Sequence, residues 1–588
     1  MSVKKTPQLG RFFILKCAYL LAFASLAIGW LSPMHVQPWV SWHSEVPVFF
    51  GVFSALGLVL LSRRDRHAKV SLPQPAWLAV VLLLLTLLHW ILGHIPYVGD
   101  VWIVLFYIAL ALACVGLGHA AAAVTTGGQT GRLSLIDKPA TMLAWTMLLI
   151  GIASASAGLV QTFDVWTHSD WFSRPPASWR PGGQVGQANH FAIGLLMALV
   201  SAVYLLTIRQ LGAVTAVIVV IFLGLGIAIS HSRTTFLCVV ILGVWWTYKQ
   251  PLIAPLHRLW WGPAATLMLT CQFLLWPTVY NEFYMLAGAE SARLHAGSLR
   301  FLVWPQLFDA VLARPWLGWG TLQVAPAHNS VLHNSEVSEA YTYGHNILLD
   351  VAIWLGIPAA LLFFAAAAVW LWHRARAVKG PQSWYLFSLM LPVGVGSLME
   401  FPYVYAYCLA PALFAVGMLE RELRCKPILQ LPIRAALAPY ALVAGLMAWS
   451  AVEYIKVEED VRVARFEALR VGKTADGYAV PNIVLLTQLS SLAASTRIAP
   501  MPGLSKVQMD LLRNAALRYP WPATGFRYVT ALALNGNQPE ALRQMQIMRA
   551  IQGDKTYKAL MDVLFERLAE HQVPWRPQQP LVQATANK

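Results

Sequence analysis

Long apolar stretches separated by polar loops fill the first three quarters of the chain. A transmembrane helix needs about 20 mainly apolar residues, and thirteen stretches have a comparable length. They lie near residues 12–31, 46–62, 75–93, 101–119, 140–162, 190–207, 211–230, 235–248, 262–279, 345–371, 383–400, 403–420 and 433–452. The pattern predicts an all-α polytopic membrane protein with about 13 transmembrane helices and with its termini on opposite sides of the membrane.

Two polar regions interrupt this pattern. Residues 280–344 are too polar to cross a bilayer and predict a long loop, and residues 453–588 follow the last span. The tail has apolar residues at helical spacing, including two amphipathic helices around the Asn-Gly-Asn turn at 535–537. This hairpin resembles one repeat of the tetratricopeptide kind, of which an array needs about three. We therefore predict a transmembrane domain at 1–452, which includes the loop, and a small helical domain at 453–588.

Lysine and arginine are distributed unequally between alternate loops. One set of loops is rich in both, as at Arg374, Arg376 and Lys379, and the positive-inside rule assigns these loops to the cytoplasm. The other set, before the last span, has only a few arginines and no lysine. The distribution predicts a cytoplasmic N-terminus and an outer C-terminal tail.

Composition and charge exclude several classes of protein. Hydrophobic residues make up 57% of the chain and charged residues 12%, far below the roughly 25% charged residues of a soluble domain. The net charge of +16 follows largely from the loop asymmetry, and no basic stripe with interleaved aromatic residues indicates nucleic-acid binding. The six cysteines have no CxxC spacing, so neither a disulfide framework nor a metal site is indicated.

Polar side chains collect near the predicted outer ends of the spans. Ionisable residues at membrane depth are costly and are therefore candidates for function. One such residue alone is better explained as a helix cap or an interfacial hydrogen-bonding group. Six separate elements share the feature, and we therefore treat it as a candidate site: Glu45, Gln161, His190, Arg233, His345 and Glu400.

The segment RPGGQVGQANHFA at 180–192 runs from a polar loop into an apolar helix. Its glycines allow a ligand to approach the backbone closely, and a helix N-terminus favours phosphate. The side chains that offer hydrogen bonds or charge there are Arg180, Gln184, Gln187, Asn189 and His190. The alternative interpretation is an Asn-capped helix after a flexible loop.

A second segment, YTYGHNILLDVAIWLGIP at 341–358, has the same arrangement. His345, flanked by Tyr343 and Asn346, suits proton transfer near neutral pH. The alternative is an interfacial histidine bonded to a carbonyl group. Arg233 and Arg300 are candidates for a phosphate site, because a guanidinium group binds phosphate through two hydrogen bonds and stays charged.

Over roughly residues 30–420 the chain resembles the PglL-type bacterial protein O-oligosaccharyltransferases, which are relatives of the O-antigen ligases in the WaaL/Wzy superfamily. The resemblance rests on Glu45 at the end of SPMHVQPWVSWHSE, on Gln161, and on the segments RPGGQVGQANHFA, SHSRTT, RFLVW, RPWLGWG at 314–320, GHN at 344–346 and EFPYVYAY at 400–407. One departure lies before the last motif, where this chain has Gly396 and Ser397 in place of the family's frequent histidine-serine pair.

The resemblance implies a polyprenyl-pyrophosphate-linked oligosaccharide donor, a protein acceptor such as a pilin or another periplasmic protein, and an active site on the periplasmic face of the bacterial inner membrane. We expect an inverting reaction without metal or cofactor, in which Arg233 and Arg300 stabilise the leaving pyrophosphate and His345 acts as general base. The expected substrate-binding residues are Glu45, Gln161, Arg180, Gln187, Asn189, His190, Tyr343, Asn346 and Glu400.

Three alternatives remain open at this stage. An O-antigen ligase or polymerase would use the same type of donor and pass the glycan to lipid A core sugar or to a polysaccharide. A transporter or lipid flippase would place its binding groups near the bilayer midplane. A scaffold whose tail recruits partners would not need the polar residues at the outer span ends.

Overall fold

The computed structural model describes residues 6–62, 69–125, 138–165, 169–173, 180–254, 261–283 and 299–576. The described chain is almost entirely helical, as predicted. Its α-helices are, in chain order, α1 Thr6–Leu31, α2 Trp42–Ser62, α3 Ala76–Ile91, α4 Val98–Thr125, α5 Pro139–Thr162, α6 Ala188–Thr207, α7 Ala213–Ile229, α8 Arg233–Ile253, α9 Trp261–Phe283, α10 Arg300–Ala313, α11 Val324–Val331, α12 Ile347–Leu355, α13 Ile357–Ala377, α14 Pro381–Gly396, α15 Ala406–Glu422, α16 Ile433–Leu469, α17 Thr487–Arg497, α18 Lys506–Arg518, α19 Pro522–Leu534 and α20 Gln538–Glu570.

Eight helices in the described residues are long and apolar enough to cross a membrane: α1, α2, α4, α5, α6, α8, α13 and α16. Two shorter apolar helices, α3 and α7, coincide with further predicted spans. The chain is therefore a multi-pass membrane protein, and the all-α polytopic prediction is confirmed. The count of thirteen spans stays a prediction.

The residues group by their contacts into two compact units. The first unit comprises Met1–Leu83, Leu105–Ala296 and Ala365–Ala448. The second unit comprises Leu84–Val104, Gly297–Phe364 and Trp449–Lys588. The domain boundary predicted at residue 452 stays a prediction.

Helix α6 forms the centre of the first unit. It packs against α5, α7, α8 and α14. Of the residues in its apolar stretch, 83% are buried. Glycine permits close approaches of α6 to α1 and to α5, since a Cβ atom on Gly194 would lie 2.2 Å from the Trp30 ring and one on Gly158 would lie 2.6 Å from Phe191. Small residues at helix contacts are typical of membrane proteins. An antiparallel ribbon that the sequence did not predict pairs β1 Lys69–Leu72 with β2 Leu429–Pro432.

A helix break in the second unit corrects one predicted element. We expected a single span at 345–371, but helix α12 ends at Leu355 and α13 begins at Ile357. Gly356 between them has φ +79°, a left-handed conformation that glycine adopts readily. The RPWLGWG segment supplies the hydrogen bonds at the break. Its Trp319 amide donates to the Ile353 carbonyl (2.7 Å), and its Pro315 carbonyl accepts from the Ile357 amide (2.7 Å).

The tail contributes its helices to the second unit. Helices α19 and α20 flank the predicted turn, where Gly536 has φ +85°. Their inner faces share a core that includes Val529, Leu532 and Met545. Helix α20 bends at Gly553, where the backbone is left-handed (φ 79°). The helical hairpin is present, while its kinship to tetratricopeptide repeats stays a prediction.

Candidate active site

Gln161, at the end of α5, fixes the glycine segment of the first unit. Its amide nitrogen donates to the carbonyls of Ser173 (2.7 Å) and Gly183 (2.9 Å). Its amide oxygen accepts from the backbone N–H groups of Gly182 (3.1 Å) and Gly183 (2.9 Å). A glutamine amide has two donor and two acceptor positions, and all four are occupied here. The geometry therefore favours a positioning role, and substrate binding by Gln161 stays a prediction.

Left-handed glycines shape the same segment. Gly183 has φ +57° and Gly186 has φ +71°, so the chain turns back on itself before α6 begins. Gln187 caps the helix, since its side-chain oxygen accepts from the His190 amide (2.7 Å). The ring of His35, which is not among the predicted site residues, forms a hydrogen bond with the Gln184 carbonyl (2.8 Å). The segment is therefore a hydrogen-bonded loop that leads into the N-terminus of α6.

A chain of hydrogen-bonded polar side chains lies beside this loop in the first unit. Asn189 donates to the buried Glu400 carboxylate (2.6 Å) and accepts from Arg180 (3.1 Å). Arg180 also donates to the Ser230 carbonyl (2.9 Å), which ties the loop to the residues before α8. Two predicted substrate-binding residues of one motif, Arg180 and Asn189, are therefore brought together with a third, Glu400, which lies 211 residues after Asn189.

Aromatic rings enclose His190, which is fully buried. Its ring lies 5.4 Å from that of Phe401 and 4.5 Å from that of Tyr405, both in edge contacts. Both rings belong to the EFPYVYAY motif, so this motif and the RPGGQVGQANHFA motif form one local structure. The role of His190 in binding substrate stays a prediction.

Glu45 lies in a second buried cluster of the first unit. Its carboxylate accepts hydrogen bonds from the hydroxyls of Ser41 and Tyr107, and its side chain is almost fully buried. The Tyr107 hydroxyl also lies 2.6 Å from the Val404 carbonyl oxygen. Tyr107 was missed because a tyrosine in an apolar helix carries no distinguishing sequence signal.

Arg233 is the first residue of α8 and is exposed. Ser232 caps the helix by accepting from the Thr235 amide (3.4 Å). Positive charge from the guanidinium group adds to that of the helix N-terminus, and both favour an anion. This placement agrees with the predicted pyrophosphate role, which stays a prediction.

The histidine segment belongs to the second unit. His345 has φ +53°, which is uncommon for a residue with a side chain, and its ring stacks at a tilt on Tyr341 (4.8 Å). Asn346, rather than His345, caps α12 by accepting from the Leu348 amide (2.9 Å). The histidine therefore lies just outside the helix that it was predicted to open.

Two residues that are not among the predicted site residues form hydrogen bonds with this segment. The Trp304 indole N–H donates to the Gly344 carbonyl (2.9 Å), and the Gly344 amide donates to the buried Asp350 carboxylate (2.7 Å). Arg300 precedes Trp304 by one helical turn on α10, so both lie on the same helix face. The RFLVW and GHN motifs thus meet. A lone carboxylate in an apolar run could have indicated Asp350.

The predicted site residues fall into two sets. Glu45, Gln161, Arg180, Gln187, Asn189, His190, Arg233 and Glu400 belong to the first unit, and Arg300, Tyr343, His345 and Asn346 belong to the second. Across the described ranges, no group of three or more His, Cys, Asp or Glu side chains could hold a metal ion. The absence of a metal from the reaction stays a prediction.

Comparisons with known proteins agree with the motifs. A family profile described as "O-Antigen ligase" matches residues 217–364, and one described as "Virulence factor membrane-bound polymerase, C-terminal" matches residues 384–563. Among curated proteins, the General O-oligosaccharyltransferase of Acinetobacter baylyi is 21% identical over 568 residues, covering 92% of this chain and 93% of that protein.

A second relative from the same organism, the ComP-specific O-oligosaccharyltransferase, is 23% identical over 377 residues, which is 63% of this chain and 66% of that protein. Both relatives are named as enzymes of one class, and the first match extends over nearly the whole chain. With the two family profiles, they support a PglL-type O-oligosaccharyltransferase of the O-antigen ligase superfamily.

Proposed function

We propose that this protein transfers an oligosaccharide from a polyprenyl-pyrophosphate carrier to serine or threonine hydroxyls of periplasmic proteins, including pilin-like proteins. The observation that carries the proposal is the polar chain of Arg180, Asn189 and Glu400 beside a glycine loop that opens a helix. Such a loop suits the phosphate end of a lipid-linked donor. The names of the two relatives support a protein acceptor.

Charge stabilisation is the first part of the proposed mechanism. When the glycosidic bond breaks, negative charge develops on the pyrophosphate, and Arg233 and Arg300 stabilise it electrostatically. Guanidinium groups keep their charge and bind phosphate oxygens in pairs. The arginines fill the role that a divalent cation fills in other transferases, so the reaction is proposed to proceed without metal or cofactor.

Base catalysis is the second part. His345 accepts the proton of the acceptor hydroxyl as the oxygen attacks the anomeric carbon, with inversion. A hydroxyl is a weak nucleophile, and a positioned base typically contributes about 10²–10⁴-fold. The bonds from Trp304 and Asp350 to Gly344 support this role, because they fix the backbone next to His345.

The proposed setting is the bacterial inner membrane, with the active site and the C-terminal tail in the periplasm. The support is the alternation of basic loops together with an odd number of predicted spans. An alkaline phosphatase fusion after residue 460 should be active in cells; an inactive fusion beside an active cytoplasmic reporter at the same point would refute this orientation.

A second candidate function has its own support. The family profile described as "O-Antigen ligase" matches residues 217–364, so transfer of the same type of donor glycan to lipid A core sugar is the alternative. The two functions share the donor and the proposed base, and differ in the acceptor.

Reconstitution tests the proposal. Purified full-length protein in lipid bilayers should receive a polyprenyl-pyrophosphate oligosaccharide together with a serine-containing pilin or with lipid A core. Mass spectrometry should find the glycan on the polypeptide and not on the core. Transfer to the core alone would establish the ligase alternative, and transfer to neither would refute both functions.

A further inference from the structure

A cavity of about 710 Å³ lies within the second unit, outside the residues assigned to catalysis. Its walls come from the RPWLGWG segment, from α11, and from the tail helices α18, α19 and α20. Specific ligand sites usually have volumes of about 300–1,000 Å³. The cavity is therefore large enough for a substrate segment.

Four arginines line the cavity, and two of them are neutralised. Arg518 makes a bidentate ion pair with the fully buried Asp100 (3.0 and 3.1 Å). Arg543 pairs with Glu540 at 3.0 Å.

The other two arginines, Arg314 and Arg513, have no carboxylate partner in the part of the chain that the structure describes. Arg314 lies over the Trp319 ring, with its guanidinium carbon 3.9 Å from the ring centroid. Arg513 is exposed on α18. Burial and the nearby charge of Arg314 lower the pKa of His94, which also lines the cavity. The cavity thus has an excess of two positive charges and suits an anionic ligand.

Aliphatic residues line the cavity together with the arginines. Pro315, Leu317, Pro326 and Leu517 contribute to the lining, and the exposed Trp316 ring stands at its edge. Oligosaccharides present mainly hydroxyl groups, whereas a polypeptide presents aliphatic side chains and carboxylates together. The mixture of proline, leucine and arginine therefore favours a polypeptide, and arginine clusters are a recurring means of binding acidic peptides.

The cavity and the histidine segment belong to the same unit. Tyr343 lies close enough to Arg518, which lines the cavity, and to Tyr519 to interact with both electrostatically. Tyr519 lies beneath Arg518, whose guanidinium carbon is 5.5 Å from its ring centroid. Tyr343 precedes His345 by two residues. A polypeptide in the cavity would therefore lie in the same unit as the segment that carries the proposed base.

We propose that this cavity binds an acidic segment of the acceptor polypeptide, with Arg314 and Arg513 contacting its carboxylates. This inference rests on the proposed function, because it assigns the acceptor of that reaction. It identifies the acceptor class as polypeptides with aspartate or glutamate close to the glycosylated hydroxyl.

Peptide binding to the full-length protein tests this assignment. The probes are two fluorescent peptides with a single serine, flanked by aspartates in one and by asparagines in the other. Fluorescence anisotropy without donor should give at least about 10-fold tighter binding of the aspartate peptide, the effect expected for a lost charge-assisted contact. Arg513→Glu should abolish this preference. Arg465→Glu, which reverses an exposed arginine on α16 outside the cavity, should preserve it.

Three results would overturn the assignment. The first is equal affinity of the parent protein for the two peptides, and the second is an aspartate preference that survives Arg513→Glu. The third is binding of oligogalacturonate, but not of the aspartate peptide, that Arg513→Glu abolishes; this result would assign the cavity to an acidic glycan.

The peptide measurement separates this inference from the proposed function. Glycan transfer by the parent protein together with equal peptide binding would overturn the cavity assignment alone. No transfer to any acceptor, together with aspartate-dependent binding, would refute the proposed reaction and still support an acidic polypeptide as the ligand of the cavity.

Discussion

The glycine segment of the first unit (180–192) and the histidine segment of the second (341–358) share a left-handed backbone before a helix but differ in the residues that adopt it. Each runs from a loop into a helix, and each helix is capped by an amide side chain, Gln187 in one and Asn346 in the other. Each contains left-handed backbone. The first places glycine there, at Gly183 and Gly186, whereas the second places His345.

The difference indicates that a strained backbone conformation is kept where a side chain is needed. Glycine adopts positive φ at little cost, while other residues in that conformation are strained by about 1 kcal/mol or more. Around Gly183 only the backbone is needed, and Gln161 binds it. At residue 345 the strain persists because Trp304 and Asp350 hold the preceding peptide group. Strain of this kind concentrates at functional sites, which supports a chemical role for the imidazole.

The largest effect should come from the arginines that we assign to the pyrophosphate. Arg233→Ala and Arg300→Ala should each reduce transfer about 10²–10³-fold, the loss typical for removing one transition-state hydrogen-bond donor. Lysine replacements should recover only part of the rate, because an ammonium group lacks the planar fork. Transfer rates of purified variants provide the test, with Arg465→Ala as the matched control. Parent rates in both alanine variants would remove the pyrophosphate role.

Acid should act on the second unit through His328. Burial lowers the pKa of this residue from 6.5 to about 4, and its ring nitrogen bonds to Gln306 on α10 (3.1 Å). Since the unfolded state binds the proton more tightly, the contribution of His328 to the free energy of unfolding is constant above pH 6.5. It falls as the pH drops from 6.5 toward 4. The loss should approach roughly 3 kcal/mol, at about 1.4 kcal/mol for each pKa unit.

Thermal unfolding at several pH values measures this effect. His328→Asn should unfold with a smaller dependence on pH between 4 and 6.5 than the parent, because the titrating group is gone. An unchanged pH dependence in this variant would show that another group is responsible.

A smaller effect should come from the left-handed backbone itself. His345→Gly should be more stable than His345→Ala by about 1 kcal/mol, because glycine relieves the strain that alanine retains. The corresponding pair at Gly183 should run in the opposite direction, with Gly183→Ala less stable than the parent. Thermal unfolding of purified proteins measures both differences. Equal stability of the two residue-345 variants would remove the argument from strain.

The sequence was sufficient for the helical membrane fold and for the segments that carry the candidate site. Apolar length and the position of glycine, histidine and arginine are local properties, and they are readable in one chain. The break at Gly356 was missed because the groups that stabilise it lie in the RPWLGWG segment. Likewise, Trp304 binds Gly344 from 40 residues away, and Arg518 reaches Asp100 across 418 residues. Contacts of this range depend on packing, which periodicity does not specify.

Separate measurement of donor binding and turnover in His345→Ala tests the central claim, that this segment carries the base of a glycan transfer. The purified variant should bind a polyprenyl-pyrophosphate oligosaccharide as the parent does. Its single-turnover rate of transfer to a serine acceptor should be at least about 10²-fold lower, the lower end for a removed general base. A variant that binds donor normally and transfers glycan within a few-fold of the parent rate would contradict the claim and indicate attack assisted by the substrate itself.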